Sequence, residues 1–343
     1  MQKRITAASA AIFILIAFRV YAQSDTIRPA QIWPDTKGNH IQAHGGGIIK
    51  VKNDYYWYGE ERRQGLDTNY RYVSCYQSKD LVNWTFKGDA LQVSKPDTVL
   101  GKWVLERPKV YYNVKTRKFV MYCHVDGQVR SAVSTATVTS AYSYARVGVA
   151  ISDKATGPFR FIRTFRPLGH ESRDIGQFID DDGSAYLIFE DRPFGFRIAR
   201  LSDDYLDVEK QICLIPAHME GGAIVHYGGL YYVIGSSLTG WAANPNKYAT
   251  ATDLSGPWTE FKDIAPSETK TYGSQSTMMI KIAGTKKTTV LFMGDIWKPK
   301  TQWDSRYLWM PLEIGNGKLW LPQPQPFRLN VRTGETKLID EKK

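Results

Sequence analysis

Residues 43–60 read AHGGGIIKVKNDYYWYGE: an Ala-His step, three glycines, a β-branched run, a polar Lys-Asn-Asp turn and an aromatic run closed by Glu60. A glycine-rich loop that cradles phosphate needs a strand before it and a helix after it. Here both segments that follow are rich in β-branched and aromatic residues and are joined by a turn, which predicts two short strands in a hairpin.

The same unit recurs. The second strands are YYWYGE from Tyr55, FVMYCH from Phe119, AYLIFED from Ala185, LYYVIGSS from Leu230 and TVLFMGD from Thr289. Their first strands are GGGIIKV, RPKVYYN, IGQFIDD, GGAIVHY and STMMIKI, and each pair is joined by a short polar or glycine turn. A third segment follows each pair, as in SCYQSKDLVNWTF and YATATDLSGPWTEF. Second strands begin about 64, 66, 45 and 59 residues apart, which is a blade-sized interval. Helical periodicity is missing, so a doubly wound α/β fold is disfavoured. A β-sandwich would also show many short strands. Radial repetition is favoured because it hides sheet edges that a sandwich must protect one by one. The expected fold is all-β, a five-bladed β-propeller in a single domain over residues 23–343. Either the segment near Ile27–Pro34 or the C-terminal PFRLNV is expected to complete the last sheet.

Residues 1–22 read as a secretory signal peptide. Lys3 and Arg4 precede an apolar core of about half the roughly 20 residues a bilayer needs, and Val20-Tyr21-Ala22 supplies the small-residue cleavage pattern. No cysteine follows at the cleavage region and no later run is long enough to span a membrane, so an exported protein, periplasmic or extracellular, is expected. Cys75, Cys123 and Cys213 are too few and too spread for a disulfide framework or a zinc site, and read as free thiols. The formal charge of +11 includes the signal peptide and is otherwise dispersed. Clustered Lys and Arg on a recognisable module are missing, which argues against nucleic acid as a partner. A monomer without cofactor or metal is expected.

In a propeller the residues just ahead of the innermost strands converge at one end of the axis. Those positions hold His44, then Glu106 and Arg107, then Arg173 and Asp174, then Glu220, then Gln275. All are polar or charged although apolar strands follow, which predicts a shared pocket. The glycines at 45–47 and 221–222 are expected to serve a crowded axis and a bound ligand. Several carboxylates without metal-ligand spacing suggest acid chemistry on an oxygen-rich substrate, of which glycoside hydrolysis is the commonest case. Trp57, Trp241, Trp297 and Trp303 lie near strand ends, and Trp241 in the polar loop SLTGWAANPN is the best candidate for stacking on a sugar. Asp180-Asp181-Asp182-Gly183 lacks the later ligands of a calcium loop and reads as a hairpin turn, and the spacing of His124, His170, His218 and His226 suggests no metal.

The stretches HIQAHGGGI, YYWYGE, ERPKV, SRD with DDDGSAYLI, EGGAI, TGWAANPN, SQST and MGDIW together resemble family 43 glycoside hydrolases, and within them the exo-β-1,3-galactanase branch, from about Ile32 to Leu329. The resemblance implies a five-bladed propeller and an inverting mechanism acting on an oligosaccharide or polysaccharide. By motif position Glu220 matches the general acid and Asp174 its pKa modulator. Most of the family carries an aspartate base ahead of the first inner strand, where this sequence has Ala43-His44. The galactanase branch shares that departure and has a glutamine that matches Gln275. Glu106, Glu60 and Tyr142 match its sugar-contacting positions, with His44, Arg173 and Trp241 as further candidates. A neutral amide is a poor base but can accept a hydrogen bond from the attacking water and fix its path. Whether Gln275, as an imidic tautomer, or Glu106 takes the proton stays open in the sequence. The alternatives are another exo-glycosidase of the family, a galactofuranosidase or arabinofuranosidase, and a non-catalytic glycan-binding propeller. The stretch VDGQVRSAVSTATVTSA between His124 and Tyr142 is longer than the pattern expects, beside a sugar-contacting position.

Overall fold

The computed structural model describes residues 23–129 and 142–340. The signal-peptide expectation and most of the insertion before Tyr142 fall outside those residues.

Five antiparallel sheets follow one another along the chain, each opening with a hairpin foreseen from the sequence. Their first strands are His44–Val51, Leu100–Asn113, Ile175–Ile179, Met219–Tyr227 and Gln275–Ala283. Four sheets have four strands and the fifth has three. Consecutive first strands pack against each other, and the fifth also packs against the first. These innermost strands are almost wholly buried, because small and β-branched residues fill the crowded centre. Among the described residues the only helical segments are four single turns of 3-10 helix.

Neither chain end joins the fifth sheet. Thr26–Ile27 pairs with Phe327–Asn330, which pairs in turn with Glu335–Leu338, so the two ends form a small sheet of their own. The expected completion of the last sheet is corrected accordingly. The polar Gly-Thr-Lys-Lys turn after Ala283 explains part of this, since it is hydrogen-bonded to Arg332 and Thr333 of the C-terminal segment.

An aromatic block joins the first sheet to the fifth. Trp57, Trp84 and Trp309 are fully buried, with Trp57 and Trp309 ring centres 4.9 Å apart and Trp33 at 4.9 Å from Trp309. Truncating one such indole to alanine would cost about 3–5 kcal/mol. Trp57 is therefore core, while Trp241 is 40% exposed. Cys75 and Cys123 are buried and Cys213 half-buried, all three free. No helix among the described residues is long and apolar enough to cross a membrane.

Candidate active site

One feature of the backbone, repeated from sheet to sheet, aims the site. Toward one end of the inner hairpins a polar residue of the first strand faces a polar or titratable residue of the second: His44 opposite Glu60, Glu106 opposite His124, Glu220 opposite Ser236 and Gln275 opposite Asp295. In the third sheet Glu190 N donates to Asp174 O at 3.0 Å, which places that pair equivalently. In three sheets the pairing slips immediately after this residue, and in the fifth it slips one residue later, after Ser276. Such bulges bend the strand and redirect a side chain.

The first bulge residue takes a left-handed conformation in three of them, Gly45 at φ +57°, Arg107 at +52° and Gly221 at +64°. A Cβ on Gly45 would lie 2.5 Å from Glu60 Oε1, and one on Gly221 would lie 2.5 Å from Ser276 O. None of the glycines at 45–47 or 221–222 lines the cavity, so their role is backbone packing and the expected ligand contact is corrected. Arg107 adopts the same conformation with a full side chain, at a cost of about 1 kcal/mol or more. Its guanidinium offsets that cost through three partners. Nη2 meets Asp174 Oδ2 at 2.9 Å, Nη1 donates to Ser276 O at 3.1 Å, and Nη2 also donates to Gln275 Oε1.

The side chains converge on a cavity of about 330 Å³. Glu60, Glu106, Asp174, Glu220, Gln275, Tyr142, Arg173 and Trp241 all line it, as the sequence predicts. His44 does not. It is fully buried behind the wall, stacked on Tyr307 with ring centres 4.9 Å apart and with Nδ1 3.3 Å from Asp295 Oδ1. The sugar-contact expectation for His44 is therefore corrected to a support for the strand, because its imidazole packs on Tyr307 and against Asp295 while Gly45 N donates to Asp295 Oδ2 at 3.1 Å.

Glu220 and Asp174 sit on either side of one peptide, since Gly221 N donates to Asp174 Oδ2 at 3.0 Å. Burial pushes the Glu220 carboxyl up to about 8, helped by the negative charges of Asp174 and Glu190. Burial acts in the same direction on Asp174, but Arg107, then His124 and Lys109, overcome it and hold that carboxyl below its usual range. Two carboxylates driven apart in this way give one group protonated near neutrality and one ionised. Around them, Glu60 Oε1 accepts from Arg107 N at 3.0 Å and Tyr142 Oη donates to Glu106 Oε1 at 3.2 Å.

Gln275 is fixed by its neighbours. Arg107 Nη2 and Trp297 Nε1, the latter at 2.8 Å, can only donate, so they face its Oε1, and Nε2 donates to Glu220 Oε1 at 2.8 Å. Both lone pairs of Oε1 are engaged. One N–H of the amide is left to face the cavity.

Arg107, expected at the pocket, and Trp297, noted near a strand end, line it too, together with His124, Glu190, Arg192, Leu238 and Gly240, to which the sequence assigns no role. Trp297 meets Trp241 edge to face at 5.2 Å, and the two indoles form one wall. A signal for Glu60, His124, Glu190 and Asp295 was present, since four of the five aromatic second strands end in a titratable residue. At the opposite end of the third inner strand, Asp180–Gly183 forms the expected turn, with Gly183 N donating to Asp180 O at 2.9 Å. The fold also brings His226 within 3.3 Å of Asp180 and 3.1 Å of Asp181, a grouping of possible metal ligands that the sequence spacing did not show. Lys281 already pairs with Asp181 at 2.8 Å.

Residues 43–293 match the model of glycosyl hydrolases family 43, and the chain belongs to that family of glycoside hydrolases, whose fold is a β-propeller. Among solved structures it is similar to an exo-β-1,3-galactanase from Phanerochaete chrysosporium bound to β-1,3-galactotriose, with 37% identity over 92% of this chain and 71% of that one and a TM-score of 0.82. It is also similar to an exo-β-1,3-galactanase from Clostridium thermocellum, at 33% identity over 93% of this chain and 69% of that one, TM-score 0.79. A family 43 β-1,3-galactosidase solved with galactodeoxynojirimycin is 34% identical over 86% of this chain and 97% of that one, TM-score 0.74. No curated protein matches the chain.

Proposed function

We propose that this protein is an exo-acting, inverting galactanase that releases galactose from the non-reducing end of β-1,3-galactan, the backbone of arabinogalactan. The carrying observation is the pair at Gly221: Glu220 raised to about 8 beside Asp174 held low, in the cavity of a chain 37% identical to an enzyme that holds β-1,3-galactotriose. A cavity of about 330 Å³ is at the small end of ligand sites and suits a chain end better than a running chain. We read the fold as one five-bladed propeller over residues 23–343, exported behind the 1–22 segment and acting as a monomer.

In this reading Glu220 gives its proton to the glycosidic oxygen as the C1–O bond breaks, and water adds to C1 from the other face of the ring. Burial keeps Glu220 protonated, and the charge of Asp174 adds to it. Gln275 cannot accept a hydrogen bond from that water, because Arg107 and Trp297 occupy its Oε1; its free N–H donates to the water oxygen and fixes the direction of attack. The water's proton goes to Glu106. Asp174 is held by Arg107 and Gly221 N, Glu60 by Arg62 and Arg107 N, and Glu190 by Arg192, whereas Glu106 accepts from the neutral Tyr142 hydroxyl and has its cations, His124 and Arg62, no nearer than 3.4 Å. Tyr142 orients Glu106, Arg173 lies beside them, and the Trp241–Trp297 wall offers a face for the leaving sugar.

Reducing-end-labelled β-1,3-galactooligosaccharides test the reading. We expect single galactose units to be lost from the unlabelled end, with no comparable release from aryl galactofuranosides or arabinofuranosides. Preference for a furanoside would move the substrate to another branch of the family, and binding without turnover would mark a glycan-binding protein.

A further inference from the structure

His124 belongs to no role assigned above, yet it lies at the floor of the cavity with 1% exposure. Its ring is held from one side only. Nε2 donates to Asp126 Oδ2 at 3.1 Å. Asp126 is itself fully buried, and its Oδ1 accepts three backbone N–H groups, from Gly127 at 2.8 Å, Tyr144 at 2.8 Å and Ala145 at 3.0 Å. A carboxylate with that many donors is built to stay ionised. On the other side Nδ1 has no aligned hydrogen-bond partner and points between two carboxylates, 3.4 Å from Glu106 Oε2 and 3.8 Å from Asp174 Oδ1. Tyr142 stacks over the ring at 5.9 Å and 27°.

This arrangement decides the protonation state by its geometry. With Nε2–H committed to Asp126, a neutral ring would turn the lone pair of Nδ1 toward two groups that can only accept, a repulsive contact in a buried site. A second proton on Nδ1 makes both contacts attractive. We propose that His124 is a positioning residue for the hydrolysis: a permanently charged imidazolium, anchored by Asp126, that holds the carboxylates of Glu106 and Asp174 toward the sugar and sets the acid limb of activity. The role in hydrolysis rests on the functional reading given above.

The surrounding charges agree with this. Burial would push the imidazole down, but Asp126 and then Glu106 pull it up to about 10. Facing it are Asp126 on its own strand, Glu106 on the inner strand, Asp174 ahead of the third inner strand and Glu190 opposite Asp174. The nearest cations are committed elsewhere: Arg173 contacts Glu171 at 2.7 Å and Asp126 at 3.8 Å, Arg62 binds Glu60 and lies 3.8 Å from Glu106, and Arg107 binds Asp174. Glu190 in turn binds Arg192 at 2.6 Å, so each nearby arginine has its closest contact with a carboxylate other than Glu106, and Glu106 has no cation nearer than His124. Removing the imidazolium raises the proton affinity of Asp174, because one of the cations opposing its burial is lost.

Two measurements on the full chain test the proposal. In the pH dependence of kcat/KM on β-1,3-galactobiose, His124→Gln should reduce the value at neutral pH roughly 10- to 100-fold and move the acid limb up by about one pH unit, leaving the alkaline limb in place. An acid limb that stays where it is in the parent overturns the proposal, whatever happens to the rate. Nitrogen-15 NMR of histidine-labelled parent protein reads the ring without substrate: of the six histidines, one should remain doubly protonated at pH 8.5 and be missing from His124→Gln. If that ring titrates near the ordinary value of about 6.5, the proposal fails even should the variant not fold. A parent protein that releases no galactose but keeps the charged ring would refute the functional reading and leave the imidazolium standing.

Discussion

Gln275 Nε2 donates to Glu220 Oε1 over 2.8 Å, so the amide proposed to hold the water is bonded directly to the proposed acid. The contact assigns the two oxygens of Glu220 different tasks. Oε1 accepts from the amide, which leaves Oε2 to carry the proton that the leaving group takes. Replacing Gln275 with alanine removes both the water's donor and this orientation. We expect kcat to fall about 100-fold or more with KM changed only a few-fold, as for a group that acts mainly in the transition state. Steady-state kinetics on β-1,3-galactobiose check this.

The Glu220–Asp174 pair gives a bell-shaped pH profile. The acid form of Glu220 is lost as pH rises through about 8, which sets the alkaline limb. Asp174→Asn removes a negative charge that raises Glu220, so the alkaline limb should move to lower pH. Glu220→Gln should lower kcat by about 10²- to 10⁴-fold while galactose binding, read by calorimetry, is retained.

Arg107 joins three inner strands through one guanidinium, from a backbone conformation that favours glycine. Arg107→Lys keeps the positive charge and loses the fork that reaches Asp174, Gln275 and Ser276 together. The expected outcome is a loss of at least about 100-fold in kcat/KM with a folded protein by circular dichroism. A variant within a few-fold of the parent would show that charge alone suffices.

Lys109 is buried at the centre, where Nζ donates to Gly45 O at 2.7 Å and Gly46 O at 2.9 Å. Burial, and then Arg107, lowers it to about 7. The folded protein thus binds this proton more weakly than the unfolded chain, whose lysine titrates near 10.4. Linkage makes the contribution of Lys109 to stability rise with pH from about 7 to about 10 and stay level at its lowest value below about 7, where both states are protonated. Lys109→Met leaves the Gly45 carbonyl without its donor and should cost about 2 kcal/mol in denaturant unfolding. The gap between parent and variant should widen from pH 7 to pH 9; a constant gap would mean that the lysine stays charged in the fold.

The inner hairpins were legible because their period-2 apolar patterns and turns are local, and so were Glu220, Asp174 and Gln275, each marked by its place ahead of an inner strand. His44 occupies the same place but faces away, since its ring packs on Tyr307 and against Asp295 of the fifth sheet, partners more than 200 residues away that no local pattern announces. The pairing of the chain ends escaped because Thr26 and Arg328 meet across the whole length of the chain. His124 went unassigned for a different reason. Its significance lies in Asp126, Glu106 and Asp174 surrounding it at once, and only the register of the second sheet and the approach of the third bring that about.

The most direct test of the account follows the anomer of the first product. With β-1,3-galactotriose as substrate, proton NMR within the first minutes should show galactose appearing as the α-anomer beside galactobiose, and Glu220→Gln should show neither. Early β-galactose, or release by the Glu220 variant at the parent rate, would contradict the assignment of Glu220 as the acid of an inverting exo-galactanase.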